Sequence, residues 1–460
     1  MALALLMDIG STYTKAVALD LEKAEVTAAA RAPTTVQEIT RGLARAVSEL
    51  EKQLGGRPDW CHRLACSSAA GGLKMVAIGL VPGLTAKAAR WAALGAGARV
   101  LKVYAHELAG REVTEIEALK PDIILLAGGT DGGNRRVLLH NAGRLADSRC
   151  PAAVILAGNK AAADEAASLL AGAGKDVRLA ENVLPELDRL NVDPARQLIR
   201  QVFLEKIIHA RGLDRTQQYL EGVLMPTPAA VLSAAELLAR GTAEESGLGD
   251  LLVVDVGGAT TDVYSICSGQ PTRAGVSLKG LPEPYAKRTV EGDLGMRVSA
   301  PALYEAAGPR LAAEAAGMEA AAVRHYVELV HREPFLLPAG ETQWRLETAL
   351  AVLAVRLAVE RHAGYLETFW TPVGATPVQH GKDLTAMPLL IGTGGVITAH
   401  PDPGPLLSAA LYREAEPHRL LPRAPALAVD RGYILAAAGL LAEVAPDAAL
   451  RAAKKNLLHL

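Results

Sequence analysis

Aromatic side chains are scarce: three phenylalanines, four tryptophans and ten tyrosines are spread over 460 residues. A base-stacking platform for single-stranded nucleic acid needs such rings in number, so none is expected here. An excess of charge is missing too, because 48 Lys and Arg against 50 Asp and Glu leave a formal net charge of -2. The bulk composition therefore carries neither a nucleic-acid footprint nor a basic membrane surface, and recognition has to be local. No uncharged apolar run reaches the roughly 18 residues of a membrane span. The apolar start from Met1 to Met7 lacks a basic flank and meets Asp8 at once, so no leader is read there and a soluble, cytoplasmic chain is expected. Only four cysteines occur, Cys61, Cys66, Cys150 and Cys267, without a C-x-x-C pair or a Cys/His ligand spacing. Zinc and iron–sulfur sites are thereby disfavoured, and reduced, buried thiols are expected.

What is plentiful is small and aliphatic. Half of the residues are apolar and 43 are glycine, which suits close-packed, Ala-rich helices and about three globular units at roughly 150 residues each. The opening LALLMDIGSTYTKAVALDL reads as strand, tight polar turn and strand. A helix should follow, since Val36, Ile39, Leu43, Val47, Leu50 and Leu54 share one face, and Gly55 and Gly56 end it. From about Gly72 to Val183, short apolar runs alternate with helical patterns, which predicts a parallel, doubly wound sheet. AGGTDGG, from Ala127 to Gly133, falls beyond a strand's carboxyl end, where ligands bind on such sheets, although it could simply reverse the chain. Later come GVLMPTPAAVLSAAELLA, with Pro228 suited to a first helical turn, and LLVVDVGGATTDVYSI, a second strand–turn–strand unit. A polar loop VEGDLGMR, a long helix from Glu341 to Glu360, the buried strand of PLLIGTGGVITAH and the helix of DRGYILAAAGLLAEV complete the pattern.

The informative feature is the pair of strand–Asp-x-Gly–turn–strand units, Asp8, Gly10, Ser11, Thr12 and Asp255, Gly257, Gly258, Thr260, Thr261. Each offers a carboxylate at a strand end and a turn whose main-chain amides point outward. Such tips can clasp a polyphosphate while the two carboxylates hold a hydrated Mg²⁺. Glycine is required because a Cβ would block the backbone from the phosphate.

With DIGSTYTK, DVGGATTD and IGTGGVI in that order, and helices at MPTPAAVLSAAELL and DRGYILAAAGLL, the sequence resembles the actin-like ATPase superfamily of sugar kinases and seventy-kilodalton heat-shock chaperones. The resemblance implies an α/β, ribonuclease H-like two-lobe fold with ATP or ADP and Mg²⁺ in the cleft. Residues 1–71 and 191–250 would form the first lobe with the first connecting helix. Residues 251–425 would form the second lobe, and 426–460 the second connecting helix and a tail. Residues 72–190 would be an inserted flavodoxin-like domain. Asp8 and Asp255 would hold the metal through water. Gly10, Ser11, Thr12, Tyr13, Gly257, Gly258, Ala259 and Thr260 would cradle phosphates, and Lys15 would reach a terminal phosphate. Gly392, Thr393, Gly394 and Gly395 would abut adenosine. Asp262 resembles a carboxylate able to orient attacking water. The heat-shock chaperones carry Glu before the first-connector proline, where this chain has Thr227, so a slow or partner-stimulated ATPase is expected.

Taken together, MDIGSTYTKAVALDL, PDIILLAGGTDGGN, DVGGATTDVYSI, VEGDLGMR and IGTGGVI are similar to the accessory proteins of glutamate (methylaspartate) mutase, the GlmL or MutL group, unrelated to the mismatch-repair protein. That resemblance implies a reactivating chaperone that uses ATP to exchange damaged cobalamin on an adenosylcobalamin-dependent mutase, with the mutase subunits as partners. The insertion resembles the mutases' cobalamin-binding modules but lacks their D-x-H-x-x-G loop, so it would either imitate a mutase subunit without ligating cobalt through histidine or be a decorative α/β domain. A small-molecule kinase or hydantoinase-like enzyme on the same scaffold is the other reading, an idle nucleotide-binding scaffold is a third, and a homo-oligomer is left open.

Overall fold

In the computed structural model, residues 2–10, 13–34, 39–68, 73–210, 222–371 and 374–460 are described. The chain divides into two compact units. The first holds Met1–Ala234, Gly280–Pro284 and Ala436–Ala452, and the second holds Ala235–Lys279, Tyr285–Leu435 and Ala453–Leu460.

The first unit opens with an antiparallel meander of β1 (Leu3–Ile9), β2 (Tyr13–Asp20) and β3 (Glu25–Pro33). β1 is buried along its whole length, as an apolar run broken only by Asp8 demands of a central strand. β3 was not expected: EVTAAARAP is rich in alanine, a poor strand former, and its pairing with β2 overrides that preference. The helix Ile39–Gln53 leads to β4 (Trp60–Ser67), which runs parallel to β1.

A second, all-parallel sheet follows, built from β5 (Lys74–Gly79), β6 (Arg99–Ala105), β7 (Ile123–Leu126), β8 (Ala153–Leu156) and β9 (Val177–Leu179). Its order, β6-β5-β7-β8-β9, is the flavodoxin order. Successive residues of β5 alternate between two cores, Met75 and Ala77 in one, Val76 and Ile78 in the other, so both faces are covered. The first of these cores also holds Leu5 and Met7 of β1, so one continuous apolar layer joins the two sheets. Gly79 is needed where β5 ends, because a Cβ there would lie 2.3 Å from the Ala86 nitrogen of the Ala-rich helix Thr85–Gly95. β10 (Gly222–Pro226) then returns to the first sheet beside β4, giving the order β10-β4-β1-β2-β3.

In the second unit, β11 (Leu251–Val256), β12 (Thr261–Ile266) and β14 (Ala286–Glu291) form a meander, and β13 (Ser277–Lys279) joins a small sheet with β15 (Tyr365–Thr371) and β16 (Gly374–His380). β17 (Leu389–Thr393) is parallel to β11, β18 (Ala426–Asp430) is parallel to β17, and β19 (Leu457–His459) closes the edge. The order β14-β12-β11-β17-β18 repeats that of the first sheet: an antiparallel meander whose first strand is flanked by two further parallel strands. Two ribonuclease H-like halves in one chain, the first interrupted by a flavodoxin-like sheet, make this the actin-like ATPase fold. The long helix Gly340–His362 covers the β11-containing sheet of the second unit, burying Leu350, Ala354 and Ala358 in one core with Leu252 and Val254.

The two expected connecting helices are Thr227–Arg240 and Leu435–Leu441. They touch so closely that a Cβ on Gly439 would fall 1.8 Å from the Ala230 carbonyl oxygen. The second is shorter than DRGYILAAAGLLAEV suggested, since Tyr433 takes φ 51° ahead of it.

Candidate functional site

In the first unit the turn after β1 is closed by the Gly10 amide donating to the Tyr13 carbonyl at 3.0 Å. A Cβ on Gly10 would lie 2.6 Å from that oxygen, so only glycine permits the closure. Ser11 and Thr12, expected phosphate ligands, lie outside the described residues. Asp8, one residue from the end of β1, is buried. Its Oδ1 accepts from the Thr227 hydroxyl at 2.7 Å and from the Cys66 thiol at 3.7 Å, while the Lys15 ammonium lies 3.9 Å from Oδ2. Burial, and then the Asp8 charge, push the Cys66 thiol well above its ordinary pKa, so it stays a neutral donor. Lys15 pairs with Asp8 across the β1–β2 ladder, which places the two side chains on one face.

The second unit repeats the closure: the Gly257 amide donates to the Thr260 carbonyl at 2.9 Å, and a Cβ on Gly257 would approach that oxygen to 3.0 Å. Here the turn is braced from outside. The Met296 amide donates to the Gly257 carbonyl (3.0 Å), the Arg297 and Val298 amides to Gly258 (2.8 and 2.9 Å), and the Ser299 hydroxyl to Ala259 (2.7 Å). A trans peptide is planar, with its C=O and N–H on opposite sides. Three carbonyls held on this segment therefore aim the amides of Gly258, Ala259 and Thr260 away from it, the arrangement that takes an anion. The brace is the VEGDLGMR loop. Gly295 lets it seat, since a Cβ there would lie 2.3 Å from the Ala259 carbonyl carbon. Both ends are anchored to the helix Gly340–His362: Arg361 binds Glu291 and Asp293 at 2.8 Å each, and Arg297 forks onto Glu347 at 2.7 and 3.2 Å. The Arg361 guanidinium holds the Asp293 carboxyl below the usual range.

Asp255 stands in register with Asp262 on one side and Thr393 on the other. Asp262, expected to orient water, is buried, with Oδ1 on the Nε of Arg288 (2.8 Å) and Oδ2 on the Thr260 hydroxyl (3.0 Å). Burial, then the Asp262 charge, push the Tyr264 phenol well above its ordinary pKa. Arg288 carried no sequence signal.

Of the four residues expected near adenosine, Gly395 faces open space. A Cβ on Gly392 would strike Leu407 and Ile397 in the core, and one on Gly394 would meet the Val256 carbonyl at 2.3 Å. Thr393 is buried and donates to Asp430 at 3.0 Å; Asp430 in turn accepts from the amides of Ile434 and Leu435, capping the second connecting helix.

In the parallel sheet, AGGTDGG is a locked loop. Buried Asn159 accepts from the Gly132 amide (3.1 Å) and donates to the carbonyls of Gly133 and Asn134, and buried Asn182 donates to Gly129 and Asp131. Cys66, Cys150 and Cys267 are buried as expected, whereas Cys61 on β4 is exposed. Among the described residues no group of three or more His, Cys, Asp or Glu could hold a metal. Carboxylates at glycine-opened strand ends suit instead a hard cation that keeps most of its water. Nor, among the described residues, is any helix long and apolar enough to cross a membrane.

Residues 4–457 match the family model described as MutL protein. The chain is 48% identical over 461 residues to Protein MutL of Clostridium tetanomorphum, spanning 99% of each chain. Among solved structures it is similar to acetone carboxylase in a nucleotide-free state, with 14% identity and a TM-score of 0.42 over 96% of this chain and 70% of that one. It is also similar to component A of the (R)-2-hydroxyglutaryl-CoA dehydratase of Acidaminococcus fermentans, with 12% identity and a TM-score of 0.31 over 99% of each. The fold itself rests on the repeated strand order.

Proposed function

The chain belongs to the MutL protein family, and from that premise we propose that it is an ATP-dependent reactivating chaperone for an adenosylcobalamin-dependent mutase of the glutamate (methylaspartate) type. One observation supports the nucleotide reading above the rest: Asp-x-Gly turns, closed by the same amide-to-carbonyl hydrogen bond, recur at equivalent places in two sheets of one strand order. The second turn's amides are aimed outward by its brace.

In this reading the amides of Gly258, Ala259 and Thr260, together with the first turn, take phosphate oxygens. Lys15 supplies a charge to a terminal phosphate, and Asp8 and Asp255 hold water on Mg²⁺, which when bound neutralises phosphate charge. Gly395 offers its open face to the nucleoside. Turnover is slow or waits for a partner, since the first-connector position holds Thr227, a donor, and no carboxylate. Bound nucleotide acts by its differential affinity for two conformations of the chain. The flavodoxin-like sheet is the element offered to the mutase, promoting release of damaged cobalamin.

ATP turnover and recovery of cobalamin-inactivated mutase are measured for the parent, Asp8→Ala and Asp255→Ala. Recovery is expected from the parent alone, and equal recovery by all three would refute the assignment. Phosphorylated product or ring opening without any protein partner would favour a metabolic enzyme.

A further inference from the structure

We propose that Thr227 is a positioning residue for Asp8: its hydroxyl fixes Oδ1 and leaves Oδ2 as the oxygen that meets a hydrated cation, an inference resting on the nucleotide reading above. The placement comes from the sheet. Asp8 of β1 pairs with Cys66 of β4, Cys66 pairs with Met225 of β10, and Pro226 pairs with Ser67. The three parallel strands thus end side by side, and Thr227 is the first residue beyond the third, where Pro228 favours the helix start. The hydroxyl reaches Asp8 at 2.7 Å from 219 residues away in sequence. Thr227 is itself buried, so water does not compete for the bond.

Its seat is tight. Gly97, at φ 86°, would place a Cβ 2.7 Å from Cβ of Pro226 and 3.2 Å from the Ala229 nitrogen, so the backbone on either side of Thr227 is packed against the turn after the helix Thr85–Gly95. The backbone that carries the hydroxyl cannot shift away from Asp8 without opening that contact. Lys15, at 3.9 Å, lies on the Oδ2 side. Oδ1 of Asp8 is therefore held by a short hydrogen bond, while Oδ2 carries, among the described residues, only the longer ion pair with Lys15.

Thr227→Val keeps the shape and removes the donor. A hydrogen bond to a charged group is strong enough that its loss should weaken cation binding about tenfold. The full-length chain is titrated with Mn²⁺ in the presence of saturating ADP, free Mn²⁺ being read by electron paramagnetic resonance, and ADP affinity is measured separately in a chelator. Thr227→Val is expected to raise the Mn²⁺ dissociation constant about tenfold with metal-free ADP affinity unchanged, and Thr227→Ser to restore the parent value. Thr227→Ala carries the same expectation where the valine chain does not fold. An unchanged Mn²⁺ constant, an equal loss for metal-free ADP, or no rescue by serine overturns the proposal. A parent chain that binds no Mn²⁺ with ADP overturns the nucleotide reading and this inference together, an outcome distinct from a silent valine variant of a parent that does bind.

Discussion

Replacing Arg288 by methionine takes away the charge that faces Asp262 deep in the second unit, where the two residues are 4% and 6% exposed. Asp262 also stands directly opposite Asp255 in the β11–β12 ladder, and two carboxylates so placed repel unless one is compensated. Burial would lower the Arg288 pKa, but the Asp262 charge beside it outweighs this and raises it, so the guanidinium stays charged. Removing one partner of a buried, hydrogen-bonded pair costs about 3–5 kcal/mol, since the other charge is left stranded. Arg288→Met and Asp262→Asn should therefore each destabilise the chain by that order. The double variant strands no charge and should cost less than either alone, so the coupling energy should be at least as large as a single loss, about 3–5 kcal/mol. Urea unfolding of the three variants is compared with their ATP turnover in the presence of inactivated mutase. Turnover is expected to follow stability and to return in the double variant. Asp262→Asn that unfolds like the parent yet turns over no ATP would refute this reasoning, and would make Asp262 the water-orienting group that the DVGGATTD resemblance implied.

Gly295→Ala places a Cβ where the Ala259 carbonyl carbon lies 2.3 Å away. It should lift the brace from the second turn and weaken nucleotide binding at a stability cost of about 1–3 kcal/mol, measured by nucleotide titration beside thermal melting. His362 is fully buried between the Thr289 and Ser265 hydroxyls at 2.8 Å each, and burial, then Lys287 and Lys382, push its imidazole well below its ordinary pKa of 6.5. The unfolded chain therefore binds a proton below that pH which the folded chain refuses. Stability should fall with decreasing pH from about 6.5, by at most about 1.4 kcal/mol per pH unit from this residue, and His362→Gln should flatten that slope in denaturant titrations across the range.

What the sequence made legible was what sterics dictate locally. Gly10 and Gly257 stand where a side chain would strike the closing carbonyl, and the four-residue runs IILL and AVIL are short, wholly buried parallel strands because both faces are covered. Illegible were the partners that arrive from elsewhere in the chain. Cys66 lies 58 residues from Asp8, Thr227 lies 219, and Arg288 sits in AKRTVE with nothing local to mark it for Asp262. Thr227 had one available signal, the proline after it, which marked the helix start but not the hydroxyl's target. Gly392 adds a role the sequence did not show. In a strand end read as ligand-facing, that glycine also makes room for Leu407 and Ile397 in the core.

The two turns are closed alike but backed differently, and the difference follows from which residues the equivalent strands bring to each aspartate. Asp8 has β4 and the end of β10 beside it, which bring a thiol and a hydroxyl, both donors, to one of its oxygens. Asp255 has β12 and β17. The first brings a carboxylate whose charge Arg288 meets, and the second brings Thr393, whose hydroxyl goes to Asp430. Beyond Thr393 comes Gly394, where a Cβ would lie 2.8 Å from Oδ1 of Asp255. Glycine there keeps space at Asp255, whereas threonine at 227 fills the space at Asp8. One strand order used twice thus yields an unequal pair. Loss of a donor should be felt first at Asp8, and gain of a side chain first at Asp255.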